Sequence, residues 1–265
     1  MLQPRREIAP DAAAAWPFRT IVLGTDFSPA VGSAEEYAAL LAEQSGGELV
    51  IVHAFTLEQP ALETEAIARR ASAQREDLTQ LLNQTLADRR GATRLLCEAG
   101  AADAIRRVSA EYAPSLVVIG THGPGAVERR LLGSTAEGIL RSIAAPVLTV
   151  GPHVAPPTAP LTFRRILFAT DYSEAAARAE VITLAWGKAF EGHVDVLHAT
   201  ADSAVAVHHR ILERAWICGA DLIVLGAHHH SHLSMHARTG PAFHVVLGAR
   251  CPVLTVSGSA AQEAR

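Results

Sequence analysis

The residues best suited to binding chemistry are grouped around a glycine-rich segment. Gly120 is followed by Gly123 and, after nine intervening residues, by Gly133 and Ser134, which gives the spacing G-x2-G-x9-G-S. Glycines let the backbone turn tightly and approach an anion that a Cβ would obstruct. Gly133, Ser134 and Thr135 open a predicted helix, whose free N–H groups and two hydroxyls favour phosphate. The motif therefore predicts a phosphate-binding loop.

A second group of candidate residues stands at the ends of two other apolar runs. Thr25 and Asp26 follow the first run, and Ala54 ends the next one. The Asp26 carboxylate can accept hydrogen bonds from a ribose or an adenine amine, and the backbone of Ala54 can meet a base edge. The alternative for Asp26 is a turn or helix N-cap aspartate. His122 lies within the glycine loop and contributes a backbone contact at most. Together these residues predict a nucleotide site.

Catalytic machinery has little support in the sequence. It contains no GxxxxGK[ST] loop, no GxSxG elbow and no HExxH pair. The hydroxyls of Ser134 and Thr135 have no evident general base. We expect no dedicated catalytic centre, and at most slow hydrolysis of a bound nucleotide.

A histidine-rich segment raises the possibility of metal binding. His228, His229 and His230 are consecutive, and His232 and His236 follow. Imidazoles bind zinc, nickel and copper, but successive loop residues do not by themselves create a tetrahedral site. No cysteine or carboxylate lies within the run. We predict no dedicated metal site, with binding through His228, His230 and His232 as the alternative.

The composition is typical of a folded protein, and its charge makes some classes of binding partner unlikely. The 265 residues are 49% hydrophobic and 19% charged, with a net charge of -4 and no block of Lys and Arg. Nucleic acids and anionic membranes are therefore not expected as partners. The three cysteines form no CxxC pair, which fits a reducing compartment. No apolar run approaches the ~20 residues that span a bilayer, so we expect a cytoplasmic protein.

The chain contains an internal repeat. Two pairs of segments match at an offset of 145 residues and two at an offset of 106, so the second copy lacks 39 residues in its middle. The pairs are VLGTDFS at 22–28 with LFATDYS at 167–173, ELVIVHA at 48–54 with HVDVLHA at 193–199, PSLVVIG at 114–120 with ADLIVLG at 220–226, and PVLTV at 146–150 with 252–256. Residues 151–162 hold four prolines and indicate a linker.

Apolar, β-branched runs alternate with helical patterns in the first copy. Such runs indicate a parallel sheet covered on both faces, a doubly wound α/β fold. The predicted strands are 21–24, 49–54, 95–98, 116–120 and 147–150, and the predicted helices are 33–44, 62–89, 102–112 and 134–143. Ser33 and Glu36 suggest a capping box, and Gly46 ends the first helix. The second copy retains four strands and three helices, which leaves one edge of its sheet exposed unless another element covers it.

The segments GTDFS, VHAF and IGTHGPGAVERRLLGSTAEGILRSIAAPVLTV resemble the universal stress protein family. The resemblance implies a stress-response regulator that binds ATP, with the need for Mg²⁺ left open. It also implies an adenine nucleotide alpha hydrolase-like fold with strand order 3-2-1-4-5, and a dimer formed through the last strand. The matching site residues are Thr25, Asp26, Ala54, Gly120, His122, Gly123, Gly133, Ser134 and Thr135.

The second copy departs from this pattern. His229 stands where the second glycine is expected, and Thr239 and Gly240 replace Gly-Ser, with Pro241 following. We therefore expect at most one nucleotide per chain, and a nucleotide-independent scaffold is the alternative function. The last strands, 147–150 and 253–256, pair either within one chain as a pseudo-dimer or between chains in a homo-oligomer. The predicted divisions are an extension (1–17), a nucleotide-binding domain (18–152), a linker (153–162), a reduced domain (163–257) and a tail (258–265).

Overall fold

The computed structural model describes residues 16–28, 31–56, 65–89, 91–121, 132–199, 204–227 and 240–257. Nine strands and seven helices lie within these ranges. The strands are β1 (Thr20–Gly24), β2 (Glu48–Phe55), β3 (Thr93–Glu98), β4 (Ser115–Gly120), β5 (Val147–Val150), β6 (Arg165–Thr170), β7 (His193–His198), β8 (Leu222–Ala227) and β9 (Val253–Ser257). The helices are α1 (Gly32–Ser45), α2 (Glu65–Gln84), α3 (Ala101–Glu111), α4 (Ser134–Ser142), α5 (Glu174–Ala189), α6 (Ala204–Cys218) and α7 (Pro241–Gly248).

All nine strands belong to one sheet, in the order β3-β2-β1-β4-β5-β9-β8-β6-β7. Strands β1 to β5 form the first half of the sheet, with the expected order 3-2-1-4-5. Strands β6 to β9 form the second half, in which β6 pairs in parallel with both β7 and β8. The doubly wound α/β fold is confirmed in the first half. The second half is a shortened version of it, with four strands and three helices.

The two halves join through their last strands. Strand β5 pairs antiparallel with β9, and Leu148 lies opposite Leu254. The buried Thr149 hydroxyl also donates to the carbonyl of Val253 at 3.1 Å. Pairing within one chain is thus the arrangement that the structure adopts, of the two that the sequence left open. The domain boundaries stay a prediction.

Each face of the sheet carries one apolar cluster that runs through both halves. The first face is covered by α1, α2 and α5, and the second by α3, α4, α6 and α7. On the first face, Trp186 of α5 packs among Trp16, Phe163 and Phe190, with ring centroids 5.0 to 5.6 Å from its own. Because neither cluster stops at the β5–β9 pair, burial in one half depends on the other.

Two local predictions are corrected. Helix α1 begins at Gly32 after Val31, without a side-chain cap, so Ser33 and Glu36 form no capping box. Its end at Gly46, with φ of 66°, is as expected. The proline-rich linker is partly packed, because Val154 and Leu161 are buried on the first face. None of the helices in the described part of the chain has both the length and the apolar character that crossing a bilayer requires.

Candidate functional site

The predicted site residues gather at the carboxyl ends of three neighbouring strands. Gly24 of β1 is level with Val52 of β2 and Ile119 of β4, so Thr25, Ala54 and Gly120 follow at the same edge of the sheet. The chain moves outward from β1 in opposite directions on the two sides, which makes the β1–β4 boundary the switch point where such sheets bind ligands. Adjacent strands are about 4.8 Å apart, so Ala54 and Gly120 flank a crevice roughly 10 Å wide.

The loop after β1 is held by its own polar groups. The buried hydroxyl of Thr25 donates to Glu35 Oε1 at 2.9 Å and accepts from the N–H of Phe27 at 3.1 Å. Asp26 is exposed, and its Oδ1 accepts from the N–H of Ser28 at 2.9 Å. Asp26 therefore stabilises the turn as the alternative prediction had it, but uses only one of its two carboxylate oxygens to do so. Its Oδ2 has no hydrogen-bond partner among the described residues and is open to solvent.

An aromatic stack supports the same loop. Phe27 has a φ of 61°, in a region that bulky residues rarely adopt, and its ring lies 4.2 Å from that of His53. The buried imidazole of His53 donates through Nδ1 to the carbonyl of Thr25 at 2.8 Å. His53 is thus a structural core histidine. The stack fixes the direction in which Asp26 leaves the sheet.

Glu35 is a site residue that sequence reasoning missed. Burial raises the pKa of its carboxyl; the Thr25 hydrogen bond opposes that effect, and the nearby charges of Asp26 and Glu36 add to it. The signal was faint, because Glu35 reads as an ordinary polar residue in the first turn of a helix. Only the tertiary contact reveals it.

The backbone of Ala54 faces the crevice. Glu48 N donates to Arg19 O, and Thr25 N donates to Val52 O, so the even-numbered residues of β2 direct their backbone groups toward β1. Odd-numbered Phe55 turns the other way and accepts from Ala99 N. Since β1 ends at Gly24, the N–H and C=O of Ala54 extend past its last residue. From this position the two backbone groups could form hydrogen bonds with the edge of a nucleotide base.

The glycine loop is closed at its base by a backbone hydrogen bond. The N–H of Gly133 donates to the carbonyl of Thr121 at 2.9 Å, which brings the start of α4 against the end of β4. Gly133 is the extended N-cap of α4 and has no side-chain cap, while Ser134 and Thr135 are exposed in its first turn. The first N–H groups of a helix have no partner within it, so α4 presents donors and hydroxyls suited to an anion.

Several predicted residues lie outside the described residues. They are His122 and Gly123 of the glycine loop and His228, His230 and His232 of the histidine-rich segment. Within the described ranges, no group of three or more His, Cys, Asp or Glu side chains is arranged to hold a metal ion. The metal hypothesis stays a prediction.

The corresponding edge of the second half repeats the loop but not the anion site. Tyr172 has a φ of 60° and lies 4.4 Å from the ring of His198. His198 is exposed, so the second half has no counterpart of the buried His53. Helix α7 begins with Pro241, which lacks an N–H, and its first turn is buried, with Ala242 at 0% exposure. This terminus cannot meet a ligand as that of α4 can.

Gly226, the counterpart of Gly120, is also covered. A Cβ built on Gly226 would lie 2.2 Å from the backbone nitrogen of Ala176 in α5. The start of α5 therefore rests directly on this strand end. A side chain at position 226 would collide with this backbone.

Comparison with known proteins gives related sequences and a common fold. The profile of the Universal stress protein family matches residues 17–151, just over half of the chain. The universal stress protein in the QAH/OAS sulfhydrylase 3′ region of Thermus aquaticus is 32% identical over 138 residues, which are 50% of this chain and 98% of that protein.

Among solved structures, a universal stress protein from Archaeoglobus fulgidus DSM 4304 superposes with a TM-score of 0.70 at 18% identity, covering 94% of this chain and 100% of that one. A functionally unknown protein from Pseudomonas aeruginosa PAO1 gives 0.57 at 18% identity, covering 94% and 95%. At these identities the likeness concerns the fold alone, and it extends over both halves of the sheet.

Proposed function

Because this chain belongs to the universal stress protein family, we propose that the first half of its sheet binds one adenine nucleotide, ATP being the expected ligand, and that occupancy of this site regulates a stress response. The observation that carries the proposal is the meeting of three features at one switch point. These are the outward backbone of Ala54, the Asp26 turn and the exposed start of α4.

The residues present fit a nucleotide in their donor and acceptor chemistry. Ala54 offers a backbone donor and acceptor for a base edge, and Asp26 offers an oxygen for ribose hydroxyls or an amine. The N–H groups at the start of α4 and the hydroxyls of Ser134 and Thr135 suit phosphate. Gly120, together with Gly123 and His122 of the loop, would allow close backbone approach. The hydroxyl of Thr25 is already committed, so Thr25 positions Asp26 rather than contacting the ligand.

A stoichiometry of one nucleotide per chain follows from the asymmetry of the halves. The start of α4 is exposed, whereas that of α7 is buried and begins with proline. The backbone of Ala176 covers Gly226. A second nucleotide would have to displace this packing.

The regulatory part of the proposal rests on the lack of catalytic groups beside the motif. The sequence has none of the common catalytic motifs beside Ser134 and Thr135, so binding without rapid turnover is expected. The three cysteines are free, which supports a cytoplasmic location. Residues 18–152 and 163–257 would be the nucleotide-binding domain and its reduced repeat.

Calorimetric titration of nucleotide-stripped protein with ATP, with and without Mg²⁺, tests the proposal. We expect saturation near one ATP per chain. Two per chain would mean that the second half also binds, and no heat at millimolar ATP would refute nucleotide binding and leave the scaffold hypothesis.

Matched variants locate the site. Ser134→Glu adds a negative charge at the exposed start of α4, where it suits the helix dipole but opposes phosphate. We expect ATP affinity to fall at least ~10-fold by the loss of one charge-assisted contact, with adenosine affinity unchanged. Asp26→Asn is expected to weaken both ligands, whereas Asp171→Asn, which alters the equivalent turn in the second half, should weaken neither. Equal effects at positions 26 and 171 would contradict the assignment.

A further inference from the structure

Strand β7 is an edge strand whose outer side has no strand partner among the described residues. In the first half, the equivalent strand β2 is covered by β3, with Val50 to Phe55 paired to Thr93 to Glu98. The 39 residues that the second copy lacks include the counterparts of β3 and α2. The second half therefore exposes a surface that the first half buries.

The backbone groups available at this edge can be identified. His193 N donates to Arg164 O, and Ala199 N donates to Thr170 O, so the odd-numbered residues of β7 direct their backbone groups toward β6. The even-numbered residues Val194, Val196 and His198 consequently point theirs outward. Three N–H and three C=O groups are thus presented in a row for another strand.

Apolar side chains accompany this edge on the first face. Val196 is 64% exposed and Leu184 of α5 is 60% exposed. Leu184 corresponds to Ala39 of α1, which is only 3% exposed. In the first half, the end of α2 lies beside α1, with Leu82 buried in the core and Arg89 paired to Glu43 at 2.7 Å.

We propose that the outer edge of β7 binds the same edge of a second copy of this chain, antiparallel, with a two-fold axis midway between Val196 and its copy. The outward residues 194, 196 and 198 are centred on Val196. An antiparallel pair centred there sets Val196 opposite its own copy and Val194 opposite His198 of that copy. This register satisfies every outward N–H and C=O of both strands, and registers shifted by two residues do not.

The charges of β7 are compatible with this contact. Asp195, the only acidic residue of β7, is already paired with Arg214 of its own chain at 2.7 Å, so the two copies bring no unpaired like charges together. On the first face, Val196 meets its own copy, which buries apolar surface, and the exposed Leu184 lies on the same face of the sheet. The arrangement continues the antiparallel β5–β9 pairing within the chain.

A two-fold contact also closes on itself. Pairing of β7 with β3 of another copy would leave one free edge at each end and extend without limit. Strand β3 is moreover tied to its own helix, because Arg94 donates to the carbonyls of Leu82, Thr85 and Leu86 of the α2 region. A closed pair of β7 edges is the assembly that uses the uncovered surface of both copies.

Sedimentation velocity of the full chain over a micromolar concentration series tests the proposal. We expect a species of twice the 28.0 kDa chain mass. Val196→Pro removes an outward N–H without removing a bond to β6, and we expect dimer affinity to fall at least ~10-fold with the thermal midpoint of the monomer unchanged. Val196→Lys, a charged edge residue, serves as the second variant if the proline variant does not fold.

The control is Trp216→Lys. Trp216 is 73% exposed on α6, but it lies two residues from Arg214 and so points away from the side of the helix that faces β7. The Trp216→Lys change removes a larger exposed apolar side chain than the changes at Val196 do, and it should leave the dimer intact. A wild-type chain that stays monomeric, a dimer that survives both changes at Val196, or one that Trp216→Lys dissociates equally would each overturn the proposal.

Discussion

The Thr25 hydroxyl and the Glu35 carboxylate are joined by a 2.9 Å hydrogen bond, which has no counterpart among the described residues of the second half. There, Thr170 accepts from Tyr172 N at 3.1 Å just as Thr25 accepts from Phe27 N, but Glu180 is exposed. The loop therefore takes the same shape with and without a glutamate contact. The bond to Glu35 is an addition specific to the candidate nucleotide site.

Replacing Glu35 by Gln tests the consequence of its burial. Because burial raises the pKa of Glu35, the folded chain holds this proton to higher pH than the unfolded chain does. The free energy of unfolding thus falls as pH rises from the unfolded to the folded pKa. Gln keeps an acceptor for Thr25 and removes the charge, so we expect Glu35→Gln to raise the thermal midpoint at pH ~7 and not at pH ~3. Glu180→Gln, which changes the exposed counterpart in the second half, is the control; destabilisation at neutral pH by Glu35→Gln would contradict the argument.

Substitution of Gly226 by Ala should disrupt the packing of α5 on β8. The new Cβ would lie 2.2 Å from the backbone nitrogen of Ala176 and 2.3 Å from its Cα, and backbone atoms cannot move aside as a side-chain end can. We expect a loss of about 3 kcal/mol or more in the free energy of unfolding, measured by urea denaturation. Gly91→Ala meets no described atom within 4 Å and should change it by less than about 1 kcal/mol. Equal effects would disprove the close helix contact.

The two halves should unfold together. Leu254 is fully buried opposite Leu148 in the β5–β9 pair, so Leu254→Ala is expected to cost about 2–5 kcal/mol. Circular dichroism follows the whole sheet, while tryptophan fluorescence follows Trp16, Trp186 and Trp216, of which the last two lie in the second half; both should report one shifted transition. Leu81→Ala, at a 44% exposed position of α2, should shift neither signal by more than about 1 kcal/mol. Separate transitions for the two probes would refute cooperative folding.

The cysteines should react slowly in the folded protein. Burial raises the pKa of Cys251 to about 12, and burial also raises the pKa of Cys97. The thiolate is the reactive form, so at mildly alkaline pH little of either thiol is nucleophilic. Titration with a chromogenic disulfide should detect all three thiols per chain only after denaturation. Rapid labelling of Cys251 in the native chain would contradict its burial.

Much of the fold was determined by the sequence, because its signals are local or repeated. The β-branched runs placed the strands within one or two residues, and Gly46 ended α1 where a left-handed residue was needed. The match between residues 114–120 and 220–226 located the strand that carries Gly120 and its counterpart. The sequence also brought Thr25, Ala54, Gly120 and Gly133 to one edge, since parallel strands share the direction of their carboxyl ends.

Tertiary structure alone decided the features that depend on distant contacts. The bond from Thr25 to Glu35, the burial of Val154 and Leu161 in the linker and the exposure of His198 all depend on which elements lie beside them. Whether β5 pairs with β9 of its own chain or of another is likewise invisible to a pattern of residues, since both pairings bury the same side chains. A sequence specifies what each strand can present to a neighbour, and only the folded chain specifies which neighbour is there.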